Sequence, residues 1–240
     1  MSPAATAHAS PAPRSQQTAR WSCMVAAGLL GLFVAARGLQ AENGGIVLSE
    51  KDLELAEVKW SGAKRRLLAW QKLLETGGTL GSEEAKLKAV NQFFNQIGFV
   101  SDQQHWRQKD YWATPVEMLG SNGGDCEDFA IAKYFSLLKI GVPVSKLRIT
   151  YVKALNWNPI DQAHMVLAYY ATPKTEPVIL DNLIPEIKPA SQRTDLIPVY
   201  SFNGEGLWLA KERGSGKPVG GSDRISLWKD LTSRLGNELN

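Results

Sequence analysis

Cys126 stands in the run Asn122-Gly-Gly-Asp-Cys-Glu-Asp-Phe-Ala, and that setting raises the question of a reactive thiol. A lone cysteine is ordinarily a small core hydrophobe. Core cysteines keep apolar company, however, whereas this one follows Gly123-Gly124-Asp125 and precedes Glu127-Asp128. The glycine pair permits a tight turn and Asp125 can cap a helix. Phe129, Ala132, Phe135 or Ser136, and Ile140 then recur at helical spacing until Gly141. Cys126 therefore falls in the first turn of a buried helix, where unpaired N–H groups and the positive end of the macrodipole push a thiol toward thiolate. A thiolate nucleophile needs a base within hydrogen-bond reach and a third group to orient that base. His164, inside the strand-like run Ala163 to Tyr170, is the credible base, and Asp181 closes the next strand-like run, Pro177 to Asp181. Pairing of those two runs as neighbours brings Asp181 beside His164 as the carboxylate that fixes the imidazole tautomer.

Asp125, Glu127 and Asp128 create a difficulty, because they crowd carboxylates around a thiol that must itself become negative, and like charges raise its pKa. Acids at a helix N-terminus usually serve the helix, at roughly 0.3–1 kcal/mol each. A divalent cation resolves the conflict better, with Asp125 and Glu127 reaching one ion if the glycine turn wraps it. Backbone carbonyls of Asn122 to Gly124 would fill further positions, and Asp128 joins them unless it serves the helix start.

The elements that must position these residues divide into helices first and strands second. Ser49 with Asp52 opens a helix carrying Leu53, Ala56 and Trp60, which Gly62 breaks or bends. A second helix buries Leu67, Trp70 and Leu74, with Lys64, Arg65 and Lys72 as a solvated face, and stops at Thr76-Gly77-Gly78. A third, from Ser82, spaces Leu87, Val90, Phe94 and Ile97 up to Gly98. Phe99 to Trp112 reads as an ordered loop, because Trp106, Tyr111 and Trp112 need burial; His105 within it is a loop histidine. Thr114-Pro115-Val116-Glu117 is a capping box with proline at the first helical position. Beyond Gly141 the spacing changes to two, giving strands over Leu147–Val152, Ala163–Tyr170 and Pro177–Asp181. A hairpin follows, over Tyr200–Phe202 and Leu207–Leu209, then a flexible Gly-rich stretch Lys211 to Ser222 and a last helix Asp223–Leu235. This order predicts an α+β fold with an antiparallel sheet.

The 240 residues, 44% hydrophobic and 21% charged, suffice for one domain with a substantial core. The first residues lack acids, carry Arg14 and Arg20, and lead into the apolar run Met24 to Ala36, with Leu39-Gln40-Ala41 as a cleavage site. The chain thus reads as a signal peptide over 1–41 followed by one domain over 42–240. The alternative, an uncleaved anchor, needs roughly 20 apolar residues to span a bilayer, and Arg37 interrupts a shorter run. Cys23 precedes that run, so it does not sit as a lipid-anchored cysteine would. Cleavage removes three of the 27 basic residues and none of the 24 acids, leaving 24 of each. The pI of 8.8 is therefore largely the signal's, and nucleic-acid binding loses its compositional support. Cleavage also leaves Cys126 as a free thiol without a disulfide partner in an oxidising compartment, and excludes a cysteine-based zinc site.

Several stretches together resemble the bacterial transglutaminase-like cysteine proteinases, the LapG family. They are Gly-Gly-Asp-Cys-Glu-Asp-Phe-Ala ending at Ala130, Gln162-Ala-His-Met-Val-Leu, Leu180-Asp181-Asn182, Asp110-Tyr-Trp-Ala-Thr-Pro-Val-Glu, and Leu147 to Lys153. The similarity runs from about Leu48 to Leu209. It implies a papain/transglutaminase-like core, with N-terminal helices and the nucleophile helix packed on an antiparallel sheet, and Cys126, His164 and Asp181 as the triad. It also implies a periplasmic, calcium-dependent endopeptidase that cuts a large repeat adhesin near its N-terminus, at paired alanines, and so disperses biofilm. The protease would be sequestered by an inner-membrane receptor that senses cyclic di-GMP. Asp125, Glu127 and Asp128 are then the calcium ligands. The Cys126 N–H would form the oxyanion hole, with Trp112 or Tyr111 as second contributor. The same thiolate, imidazole and carboxylate would equally serve a transglutaminase or another thiol-dependent amidase. A non-enzymatic binding module on this fold would have no need of all three.

Overall fold

The computed structural model describes residues 48–155, 162–209 and 217–238. The expected signal segment, the loop residues Trp157, Asn158 and Pro159, and Lys211 to Gly216 lie outside the described residues. The helices begin where short polar side chains can cap them. Ser49 accepts from the Asp52 N–H at the start of α1 (Glu50–Lys59), and Ser82 caps α3 (Glu83–Phe94). Between them α2 (Ala63–Gly77) starts after Gly62, whose φ of 75° is left-handed backbone that glycine adopts at little cost. Lys64 is not simply part of a wet face: half-buried, it pairs with Glu50 and Glu54 and ties α2 to α1.

The third helix stops short of Gly98. Gly98–Phe99 instead forms a short strand, β1, and the expected loop contains one helical turn, α4 (Asp102–His105). Helix α5 (Pro115–Ser121) has the capping box between Thr114 and Glu117 and ends on Asn122 in the left-handed region, φ 59°. Gly123–Gly124, β2, pairs in parallel with β1 and delivers the chain into α6 (Cys126–Lys139).

Strands β3 (Leu147–Ala154), β4 (Gln162–Tyr169), β5 (Val178–Leu180), β6 (Lys188–Pro189), β7 (Leu196–Asn203) and β8 (Gly206–Leu209) form one antiparallel sheet, ordered β6-β5-β4-β3-β7-β8. The part of the Gly-rich stretch that is described is not slack. Gly220 and Val219 hydrogen-bond back onto Leu207 as an extra rung beside β8. Helix α7 (Ser226–Glu238) closes the chain.

Helix α6 is apolar nearly all round, and Phe129 through Tyr134 are all buried. One side packs on the sheet face carrying Ile149, Met165, Leu167 and Leu180. Another meets α2, where the Trp70 indole N–H donates to Ser136 Oγ at 2.8 Å. Phe135 stacks on Trp228 of α7, with centroids 5.5 Å apart. The opposite sheet face gathers Val152, Val166, Ala168 and Ile179 around an open cavity of about 600 Å³. Among the described residues no helix is long and apolar enough to cross a membrane.

Because Leu167 is fully buried between β4 and α6, Leu167→Ala should cost about 2–5 kcal/mol in urea unfolding. A loss under about 1 kcal/mol would show that this helix–sheet contact is not the core.

Candidate active site

The mouth of α6 is built from close backbone contacts. A Cβ on Gly124 would lie 2.8 Å from the Asp128 Cβ and 2.7 Å from its Oδ2, so only glycine lets the turn seat against that side chain. Asp128 in turn holds the helix start. Its Oδ2 accepts from the Asp125 N–H at 3.2 Å and its Oδ1 from the Ala113 N–H at 2.7 Å, inside the protein. It is thus a capping group, whatever else it does.

Strands β4 and β5 pair Leu167 with Leu180, and continuing that register sets Asp181 opposite Val166, diagonal to His164 on one face. The two side chains meet: His164 Nε2 lies 2.8 Å from Asp181 Oδ1, both fully enclosed. Nδ1 is the ring nitrogen left for a thiol. Asp181 also accepts from the Leu183 N–H at 3.1 Å and from Arg193 Nη2 at 2.7 Å. Burial pushes its carboxyl up, but the His164 hydrogen bond and charge, with Leu183 and Arg193, win and hold it at about 2. The backbone carbonyl of Asp181 accepts from Lys133 Nζ at 3.0 Å and Asn95 Nδ2 at 2.9 Å. Lys133 is fully buried on α6, and desolvation lowers its pKa to about 7 despite the neighbouring Asp181.

Cys126 is partly buried, and the Met165 N–H, next in sequence to His164, favours its thiolate. The thiol itself donates to Glu127 Oε2 at 3.1 Å rather than to His164. Its pKa is raised well above the ordinary value, first by desolvation and then by Glu127 and Asp125. The helix N-terminus alone therefore does not activate this sulfur. Removal from water and the adjacent carboxylates outweigh the macrodipole.

Those carboxylates form a larger group than the sequence showed. Oxygens of Asp102, Asp110 and Glu127 lie within 4.8 Å of one another, as do those of Asp102, Asp125 and Asp128, and those of Asp125 and Glu127 with the Cys126 sulfur. Desolvation, then Glu127 and Asp110, raises Asp125 to about 8. Desolvation, with Asp125 and Asp110, raises Asp102 to about 6. Asp102 Oδ1 and Asp125 Oδ1 are buried without a hydrogen-bond partner. Crowded, under-satisfied carboxylate oxygens are the donor set of a hard cation such as calcium, so the residues present fit one.

A family model, the bacterial transglutaminase-like cysteine proteinase (BTLCP), matches residues 76–209. The chain belongs to that family. It is accordingly a cysteine protease. LapG of Legionella pneumophila is 45% identical, with a TM-score of 0.66 over 78% of this chain and 95% of that one. The calcium-bound LapG matches at 45% identity and TM-score 0.66, covering 78% of this chain and 98% of that one. The EGTA-treated LapG matches at 43% and 0.68, covering 80% and 100%. No curated protein matches. The α+β order expected from the sequence is the fold this cysteine protease adopts, close to LapG.

The remaining expected site residues have other partners. The Tyr111 hydroxyl donates to Glu117 Oε1 at 2.7 Å, and Arg234 of α7 lies over its ring. Trp112 is buried with its ring stacked on Phe202, and its carbonyl accepts from Arg234 Nη2 at 2.6 Å. His105 pairs with Ser121 Oγ at 2.7 Å, as a loop histidine would.

The Asp181 carboxyl sits at about 2 in the folded protein, below the ~3.9 of an unfolded aspartate. Its stabilisation is thus present above about pH 4 and fades as pH falls through about 2. Urea unfolding at pH values from about 5 to 2 should show Asp181→Asn losing less stability over that window than the wild type; equal losses would contradict the assignment.

Proposed function

We propose that this protein is a calcium-dependent periplasmic cysteine endopeptidase in which Cys126 is the nucleophile, His164 the base and Asp181 the group that orients it. The carrying observation is the buried His164–Asp181 hydrogen bond of 2.8 Å on the strand against which the Cys126 helix packs. The Cys126 proton passes to His164 Nδ1 as the sulfur attacks the scissile carbonyl. The oxyanion meets the Cys126 N–H, which by its place in the first turn has no intrahelical acceptor. The C–N bond breaks as His164 returns the proton to the leaving amine. Water, deprotonated by His164, then hydrolyses the thioester and regenerates the thiol.

Asp102, Asp110, Asp125 and Glu127 would hold calcium, with Asp128 beside them. The ion supplies positive charge that offsets theirs. Coordination through Glu127 Oε2 would compete with the bond that this oxygen accepts from the thiol, and so favour a thiol directed to His164. Calcium-bound and EGTA-treated forms of LapG support the reading. The resemblance to the LapG family supports the substrate, the N-terminal region of a large repeat adhesin cut at paired alanines to disperse biofilm. It also supports sequestration by an inner-membrane cyclic di-GMP receptor, and export on a cleaved signal over 1–41.

The purified protein should cut a recombinant adhesin segment containing paired alanines once and leave casein largely intact; broad digestion of casein would overturn the substrate assignment. Cys126→Ser and His164→Ala should be inactive with the fold retained, and Asp181→Asn slower by up to about 10⁴-fold. Turnover by Cys126→Ser would remove the nucleophile.

Excess EGTA should abolish cleavage and lower Tm, and calcium at about 100 times its Kd should restore about 2.7 kcal/mol of stability. Asp125→Ala should behave like EGTA-treated protein. Full activity in EGTA, or no heat of calcium binding in calorimetry, would refute the metal site.

A further inference from the structure

We propose that Arg193 is a positioning residue for catalysis, clamping the Asp181 carboxylate so that its Oδ1 stays on His164. The inference rests on the reading of Cys126, His164 and Asp181 as the catalytic group. The main chain at Asp181 is already pinned, since its carbonyl takes Lys133 from the nucleophile helix at 3.0 Å and Asn95 from α3 at 2.9 Å. What remains free is rotation of the side chain. Leu183 N–H and His164 share Oδ1, and Arg193 Nη2 takes Oδ2 at 2.7 Å. A carboxylate held at both oxygens by donors on different segments has one orientation.

The guanidinium is itself immobilised. Asp195 accepts from Arg193 Nε at 2.9 Å and Nη2 at 2.8 Å, a bidentate fork. The Asp195 carbonyl in turn accepts from the Leu155 N–H at 2.9 Å, just beyond β3. Arg193 is 4% exposed, so its charge is not one that solvent could replace. A surface ion pair would be worth little. Here, removal of the arginine leaves a buried carboxylate with one oxygen unanswered, free to swing away from the imidazole. The charged groups against Asp181 are Lys133 from α6, and Arg193 and Asp195 from the segment after β6. Among the described residues, Arg193 and His164 are the side chains that hydrogen-bond the carboxylate.

The test is the downfield proton NMR resonance of the His164 Nε2–H that bonds Asp181. The wild type should show it, and His164→Gln, which assigns it, should not. Arg193→Met should lose or markedly shift it, and Arg193→Lys, which keeps a charged donor, should largely restore it. Asp195→Ala removes the fork's second anchor at a half-buried site; it should shift the resonance while circular dichroism stays native, which keeps the test decisive if Arg193→Met does not fold. On the paired-alanine substrate, kcat should fall about 10- to 100-fold in Arg193→Met with KM nearly unchanged. The same substitution added to Asp181→Asn should cost little more. An unshifted resonance in both folded Arg193→Met and Asp195→Ala, or additive losses in the double variant, would overturn the positioning role. Absence of the resonance from the wild type would instead refute the His164–Asp181 pairing.

Discussion

Negative charge crowded at the mouth of α6 is the constraint on which the rest of the site depends. A thiol must ionise within reach of Asp125 and Glu127, in a setting that already raises its pKa by desolvation. Asp102 and Asp110 arrive from a separate segment and deepen the same negative field. An isolated helix N-terminus, worth about half a positive charge, does not counter such a field. The protonated thiol bonded to Glu127 is what this balance produces. Calcium is the proposed counterweight, and Glu127 the residue through which charge neutralisation would reach the sulfur.

The acid–base side of the site is organised differently. Asp181 is surrounded by donors rather than by other acids, and its carboxyl is driven down to about 2 while Asp125 is driven up to about 8. Two aspartates of the same chain are thus shifted in opposite directions, Asp125 up by burial and neighbouring acids and Asp181 down by its donors. The sheet supplies the difference: the β4–β5 register delivers His164 and Asp181 to one another, and the buried Lys133 fastens the strand end to α6. In the proposed mechanism, the packing of α6 on β4 brings the end of the helix that carries Cys126 to the strand that carries His164.

Much of this was legible in the sequence, for physical reasons. Capping residues Ser49, Ser82 and Thr114 announced their helices, and the change from helical to two-residue spacing after Gly141 announced the sheet. His164 and Asp181 could be paired because adjacent antiparallel strands bring together residues close in sequence. Asp102, Asp110 and Arg193 could not be found, since their partners depend on the two-residue β1–β2 pairing and on the path after β6, neither of which leaves a periodic pattern. Nothing in the sequence singled out Lys133, a cation that α6 carries into the interior. The desolvation that comes with a buried helix, which adds to the carboxylates in raising the Cys126 pKa, leaves no pattern in the sequence.

The rate at which iodoacetamide alkylates Cys126 at neutral pH, followed by peptide mapping in saturating calcium and in EGTA, tests the electrostatic account most directly. The account predicts rapid alkylation with calcium, and without it a rate at or below that of an ordinary thiol. Equal rates in the two conditions would contradict it.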